Sequence, residues 1–207
     1  FGLMCMAKPT CDDLTIEWGT ADAKPKLFPP KKSQPFVVTD RIARTDRVAE
    51  LHLRPVGQPM RFWPGQYVVL GGQGGPAPRC YSIANAPRPD GEIILQIARI
   101  DGLGTSQWVH ETLLPGTVLS LDGPYGTFIG DPAVETPILC MAAGTGLAPI
   151  LALTEAALRR NYRKPVMLVI SARTEADVYG RGLLDYWQRR YRNFKYRITL
   201  TREQKEG

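Results

Sequence analysis

A change of rhythm at Asp131-Pro132 constrains the fold of this 207-residue chain more than any other feature. Before it, between Phe36 and Gly123, short β-branched or alternating runs are punctuated by Gly and Pro. Residues 37–39, 48–53, 67–70, 79–82, 92–100 and 118–122 read as strands. In the clearest of them Ile93, Leu95 and Ile97 share one face. Only residues 104–114 read as a helix, with Thr105 or Ser106 as N-cap. The pattern predicts a small six-stranded antiparallel barrel. After Asp131 the apolar residues come as a continuous run at 137–142, the mark of a strand buried on both faces. A helix with Leu147, Ile150, Leu151 and Leu158 on one side follows, with Pro149 in its first turn, where a missing N–H does no harm. A strand at 166–170, a helix marked by Leu184, Trp187 and Tyr191, and a strand at 194–200 complete the chain. Such β/α alternation predicts a parallel, doubly wound sheet. Three strands and two helices make a thin α/β domain, so the expectation is a partial one, truncated at its C-terminus.

Composition narrows the class. Hydrophobic content of 43% and charged content of 22% are ordinary for a soluble globular protein, and no apolar run is long enough to span a membrane. The first seven residues are apolar but carry no basic leader and do not start with Met, so an N-terminal cut is expected rather than a signal peptide. Net charge is +6, concentrated in Lys24, Lys26, Lys31 and Lys32 and in the arginines and lysine between positions 181 and 197. Tyr191, Phe194 and Tyr196 interleave with that second cluster, but Phe194, Tyr196 and Ile198 alternate as core residues of a strand do. A phosphorylated small molecule or an acidic redox partner therefore suits the charge better than nucleic acid. The four cysteines, Cys5, Cys11, Cys80 and Cys140, include no CxxC pair and build no disulfide framework, which points to a reduced, cytoplasmic setting. Cys140, in the apolar run, reads as a small buried hydrophobe.

Three short runs carry the chemistry. Arg79-Cys80-Tyr81-Ser82 offers a cation that forks onto phosphate, a ring that stacks and a hydroxyl, with all but Cys80 expected to face one ligand. Alone it also fits an ordinary strand with an exposed Arg and a half-buried Tyr. Asp101-Gly102-Leu103-Gly104-Thr105-Ser106 puts glycines before a hydroxyl-rich helix start, whose free N–H groups suit pyrophosphate or simply make a well-capped helix. Arg99 adds charge there or is a solvated strand residue, and His110 reads as structural. Gly144-Thr145-Gly146 makes a tight turn at the carboxyl end of a strand, where such sheets bind ligands, though it lacks the third glycine of the Rossmann fingerprint.

In this order, with Gly123-Pro124-Tyr125-Gly126 between the second and third runs, the sequence from about Phe36 onward resembles the ferredoxin–NADP reductase superfamily. The resemblance implies an FAD-binding barrel over residues 36–131 and an NAD(P)-binding domain over 132–207. It assigns Arg79, Tyr81 and Ser82 to the flavin, with Tyr81 and Ser82 at the reacting ring. It assigns Ile97 and Arg99 to further flavin contacts and Gly104, Thr105 and Ser106 to the pyrophosphate. Gly144, Thr145, Gly146 and Pro149 fall to the nicotinamide coenzyme, and Ser171 and Arg173 to the segment near its adenosine ribose. Residues 1–19 are similar to the end of a plant-type [2Fe–2S] ferredoxin domain, in which Cys5 matches the last, isolated cluster ligand of the intact parent. Residues 20–35, with Pro25, Pro29, Pro30 and Pro35, read as a linker.

The implied activity is an oxygenase-type reductase, taking hydride from NAD(P)H to FAD and passing single electrons to an iron–sulfur domain or ferredoxin and so to an oxygenase component. NADH is the expected coenzyme, since Glu175 and Asp177 are acidic. NADPH stays open because Arg173 and Arg202 are placed to meet a phosphate. The alternatives are a stand-alone ferredoxin– or flavodoxin–NADP reductase and a non-catalytic flavin-binding electron-transfer subunit.

Overall fold

The computed structural model describes residues 25–72, 75–102, 104–131 and 135–202. Residues 1–19, expected to resemble the end of a ferredoxin domain, lie outside the described residues, Cys5 included. The first unit is a six-stranded antiparallel sheet made of β1 (Lys31–Thr45), β2 (Val48–Pro55), β3 (Tyr67–Leu70), β4 (Arg79–Ser82), β5 (Ile93–Ala98) and β6 (Val118–Tyr125), in the order β4-β3-β6-β1-β2-β5. The sheet curls until its two edges touch. Ile83 bridges Leu95, and the Ala84 N–H donates to the Ile94 carbonyl at 2.8 Å. This nearly closed barrel is filled by Phe36, Leu51, Leu53, Leu70, Ile83, Ile93, Leu95, Ile97 and Leu121, each at most 1% exposed. Helix α1 (Gly104–Glu111) and the residues after it add Val109 and Leu113 to the same core.

Strand β1 is longer than its apolar pattern suggests. Its first half pairs with β6 and its second with β2, with register shifts that let one strand serve both neighbours. Residues 31–35, expected as linker, are therefore strand. Just before it, Phe28 stacks on Trp63 with centroids 5.7 Å apart, Arg61 lies over Phe28 at 4.4 Å, and the Trp63 indole N–H donates to the Lys26 carbonyl at 3.1 Å.

The second unit is a parallel sheet in the order β7-β8-β9, formed by β7 (Ile138–Ala143), β8 (Val166–Ala172) and β9 (Phe194–Leu200), with α2 (Leu147–Arg159) and α3 (Arg181–Arg190) as crossovers. One expectation fails here. The run at 137–142 is not buried on both faces, because Leu139 is 65% and Met141 72% exposed. Strand β7 lies at the edge of the described sheet, and only the face carrying Cys140 and Ala142 packs into the core with Leu147 and Ile150. Cys140 is the buried small hydrophobe its context suggests. Among the described residues no helix is long and apolar enough to cross a membrane.

Candidate flavin and nicotinamide cleft

Beyond the Ile83–Leu95 bridge, β4 and β5 diverge, and the gap between them opens a cleft of about 250 Å³. Arg79, Cys80 and Tyr81 line it from β4, Gln96 and Ala98 from β5, Ile100 from the segment after β5 and Ser106 from the start of α1. Thr145, from the Gly144-Thr145-Gly146 turn of the other unit, completes the wall. The cleft thus joins residues from all three runs singled out in the sequence, Arg79, Cys80 and Tyr81 from the first, Ser106 from the second and Thr145 from the third, to Gln96, Ala98 and Ile100, which were not. A space this size is below the roughly 300–1,000 Å³ typical of a drug-sized ligand.

The residues that line the cleft differ in part from the expected set. Cys80, expected to turn away, lines the cleft, whereas Ser82 does not. Ser82 is half-buried and pairs with Tyr67 in the β3–β4 ladder. Ile97 is fully buried in the barrel, and its carbonyl accepts from His110 Nε2 at 2.9 Å, which confirms His110 in a structural part. With Ile97 inward, its neighbours Gln96 and Ala98 point the other way and line the cleft. Arg99 is held off the cleft by Glu111 at 2.7 Å and Asp101 at 3.4 Å.

Both candidate capping hydroxyls are engaged. Thr105 donates to the Ala77 carbonyl. Ser106 Oγ accepts the Ile100 N–H at 2.9 Å and donates to the Ile100 carbonyl at 3.1 Å. These bonds fix the β4 approach and the β5 exit to the helix. What α1 can present to an anion is therefore its free backbone N–H groups rather than these hydroxyls. Burial pushes the Tyr81 phenol up, so the ring is neutral at ordinary pH. Arg79 is exposed, and its guanidinium has no acidic partner among the described residues.

Across the cleft, Gly144 has φ of +52°, a left-handed conformation that favours glycine. A Cβ built on Gly144 or on Gly146 would meet no atom within 4 Å, so this turn faces open space. Pro149 sits half-buried in the first turn of α2. Ser171 and Arg173 lie apart from the cleft, at the carboxyl end of β8. There the Arg202 N–H donates to the Arg173 carbonyl at 2.9 Å, so two arginines end adjacent strands side by side.

Behind the cleft lies a buried polar cluster that sequence reasoning missed. Glu50, 7% exposed, accepts from Arg44 at 2.6 Å, from His52 at 3.0 Å and from Gln96 at 3.0 Å. Burial opposes its ionisation, but these donors outweigh it and hold the carboxyl down at about 2. His52 is pulled up, chiefly by its bond to Glu50 against the opposing effect of burial, with Glu92 as second partner at 3.0 Å.

A barrel split along β4 and β5 thus faces the glycine turn of a parallel sheet across one cleft. The family profile described as "Oxidoreductase FAD-binding domain" matches residues 35–129, and the profile "Oxidoreductase NAD-binding domain" matches residues 140–207. The chain belongs to the ferredoxin–NADP reductase superfamily. It is 36% identical over 151 residues to ferredoxin–NADP reductase B of Sorangium cellulosum, covering 72% of this chain and 62% of that one. It is 30% identical over 201 residues to the ferredoxin–NAD(P)(+) reductase component of the naphthalene 1,2-dioxygenase/salicylate 5-hydroxylase systems of a Ralstonia species, covering 96% of this chain and 58% of the relative. Among solved structures, the Amycolatopsis cytochrome P450 reductase GcoB superposes with a TM-score of 0.79 at 29% identity, over 87% of this chain and 55% of that one. The chain thus spans little more than half the length of the relatives it matches.

Proposed function

We propose that this chain is the flavin- and nicotinamide-binding part of a reductase that feeds an oxygenase system, with an iron–sulfur domain or ferredoxin as electron acceptor and the cytoplasm as its setting. The observation that carries the reading is the convergence of Arg79, Tyr81 and the α1 start with Thr145 on one cleft between the two units. When bound there, FAD supplies the means of taking two electrons as hydride and releasing them singly.

The residues present fit that group. Arg79, exposed and free of an acidic partner among the described residues, pairs with a phosphate, and the N–H groups opening α1 extend the anion site. Tyr81 offers a neutral ring face for stacking. Ser82, which does not line the cleft, is left out of this set. The bare backbone of Gly144 and Gly146 leaves room for the nicotinamide end of the coenzyme beside Thr145.

NADH is the coenzyme of this reading. A second reading, NADPH, is favoured by the Arg173–Arg202 pair. Neither guanidinium has an acidic partner among the described residues, and the acids expected to repel a phosphate are engaged elsewhere, Glu175 with Arg181 and Asp177 with Thr174.

The test is the visible spectrum of the purified chain reconstituted with FAD, recorded before and after NADH is added without oxygen. A bound flavin band that bleaches is the expected result. Failure to retain flavin overturns the reading, and retention without bleaching leaves the non-catalytic electron-transfer subunit in its place.

A further inference from the structure

One buried group is used by nothing described so far. Tyr179 follows β8, is 7% exposed, and packs in the core of the sheet unit. Its hydroxyl lies 3.1 Å from the Gly144 carbonyl and 3.3 Å from Gln96 Oε1. We propose that Tyr179 is a positioning residue, which ties the carbonyl of Gly144 to Gln96 on the barrel and so holds the Thr145–Gly146 backbone over the cleft. The proposal rests on the reading of that cleft as the meeting place of flavin and nicotinamide.

Three observations support it. Gly144 is in the left-handed region, and no atom stands where its side chain would be, so side-chain packing does not hold it. Its carbonyl is instead held by two donors, the Leu147 N–H that closes the turn and the Tyr179 hydroxyl. The polarity of the link is set from the barrel. Glu50 is an anion buried against Arg44 and His52, so Gln96 must give Glu50 its amide N–H, which leaves the amide oxygen facing Tyr179. The phenol then has one proton for two acceptors, Gln96 on the barrel and Gly144 on the turn. Burial pushes the phenol far above its usual range, so that proton stays in place at any working pH. Gln96 and Thr145 both line the cleft, so the link joins its two walls from behind.

The test compares the whole chain with its Tyr179→Phe variant, which keeps the ring and removes the hydroxyl. Site-resolved hydrogen exchange is read at the Leu147 amide without cofactors, and KM and kcat for NADH are read after reconstitution with FAD. Losing one neutral hydrogen bond is expected to speed Leu147 exchange roughly three- to tenfold. KM is expected to rise by a similar factor, with kcat and flavin content unchanged. Leu147 exchange equal to wild type overturns the proposal, as does a fall in kcat with KM unchanged. Should the variant not fold, the wild-type hydroxyl proton is sought by NMR. A slowly exchanging proton near Gly144 supports the tether, and exchange as fast as that of an exposed tyrosine overturns it. A chain that binds no flavin defeats the reading of the cleft, while the Leu147 exchange still decides the tether.

Discussion

The Glu155 carboxylate, on α2, accepts the backbone N–H of Ala86 at 2.8 Å across the boundary between sheet and barrel. Ala86 is 3% exposed, so its N–H has no recourse to bulk water. The same carboxylate faces Arg88 at 3.9 Å and Arg159 at 3.6 Å, of which only the first belongs to the barrel. Replacing Glu155 with Ala strands a buried donor and is expected to cost about 1–3 kcal/mol in urea unfolding. Glu155→Gln keeps an acceptor and should recover most of that loss. Equal losses in both variants would assign the effect to the ion pairs instead.

Stability should peak at mildly acidic pH because Glu50 and His52 titrate in opposite senses. Glu50 is depressed from 4.5 to about 2, so its contribution is present above about pH 4.5 and lost as pH falls toward 2. The shift corresponds to about 3 kcal/mol. His52 is raised above 6.5, so its contribution is complete below that pH and lost as pH climbs through the raised value. The Glu50–His52 bond enters both limbs and counts once. In a pH series of unfolding curves, Glu50→Gln should flatten the acid limb and His52→Gln the alkaline one. An unchanged acid limb in Glu50→Gln would show that Glu50 is not the group responsible.

Cys80 reports on the occupant of the cleft. Its thiol is exposed and lines the cleft between Arg79 and Tyr81, whereas Cys140 is buried, and burial pushes its thiol up. Of these two, iodoacetamide should modify Cys80 alone by peptide mapping. Saturating FAD should slow that modification roughly tenfold, since a ligand on Tyr81 covers its neighbour. Equal rates with and without FAD would place the flavin elsewhere.

Much of this arrangement was legible in the sequence, for a physical reason. Period-two strands and continuous apolar runs report local burial, so the Ile93, Leu95 and Ile97 face and the β/α alternation after Asp131 could be read directly. The exposure of Leu139 and Met141 could not, because it depends on which strands flank β7. Glu50 gave no signal either. An acid between Ala49 and Leu51 reads as a solvent-facing strand residue until Arg44, His52 and Gln96 are brought around it. The Ser106 hydroxyl failed in the other direction, since its chemistry suits a phosphate while its nearest partner is the Ile100 backbone.

The Arg173–Arg202 pair decides between the two coenzyme readings. Side by side at the carboxyl ends of β8 and β9, both are exposed. Under the NADPH reading, replacing both with Ala lowers kcat/KM for NADPH at least tenfold and leaves NADH within about twofold. Under the NADH reading the ratio of the two coenzymes does not move, and wild type already favours NADH. Steady-state kinetics with both coenzymes on wild type and the double variant separates the two.

Gly144 and Gly146 share a turn but should fail differently. Gly144 has φ of +52°, so an Ala there meets backbone strain although the space beside it is open. Such strain costs about 1–2 kcal/mol. Gly146 has φ of −61° and equally open surroundings, so Gly146→Ala carries no strain and should match or slightly exceed wild type in thermal unfolding. Its methyl group nevertheless fills space assigned here to the coenzyme. NADH affinity, measured by titration of the reconstituted chain, should therefore fall roughly tenfold in a variant whose fold is intact. Undiminished affinity in Gly146→Ala would mean that the coenzyme does not approach this backbone, and the open space at the turn would lose its explanation.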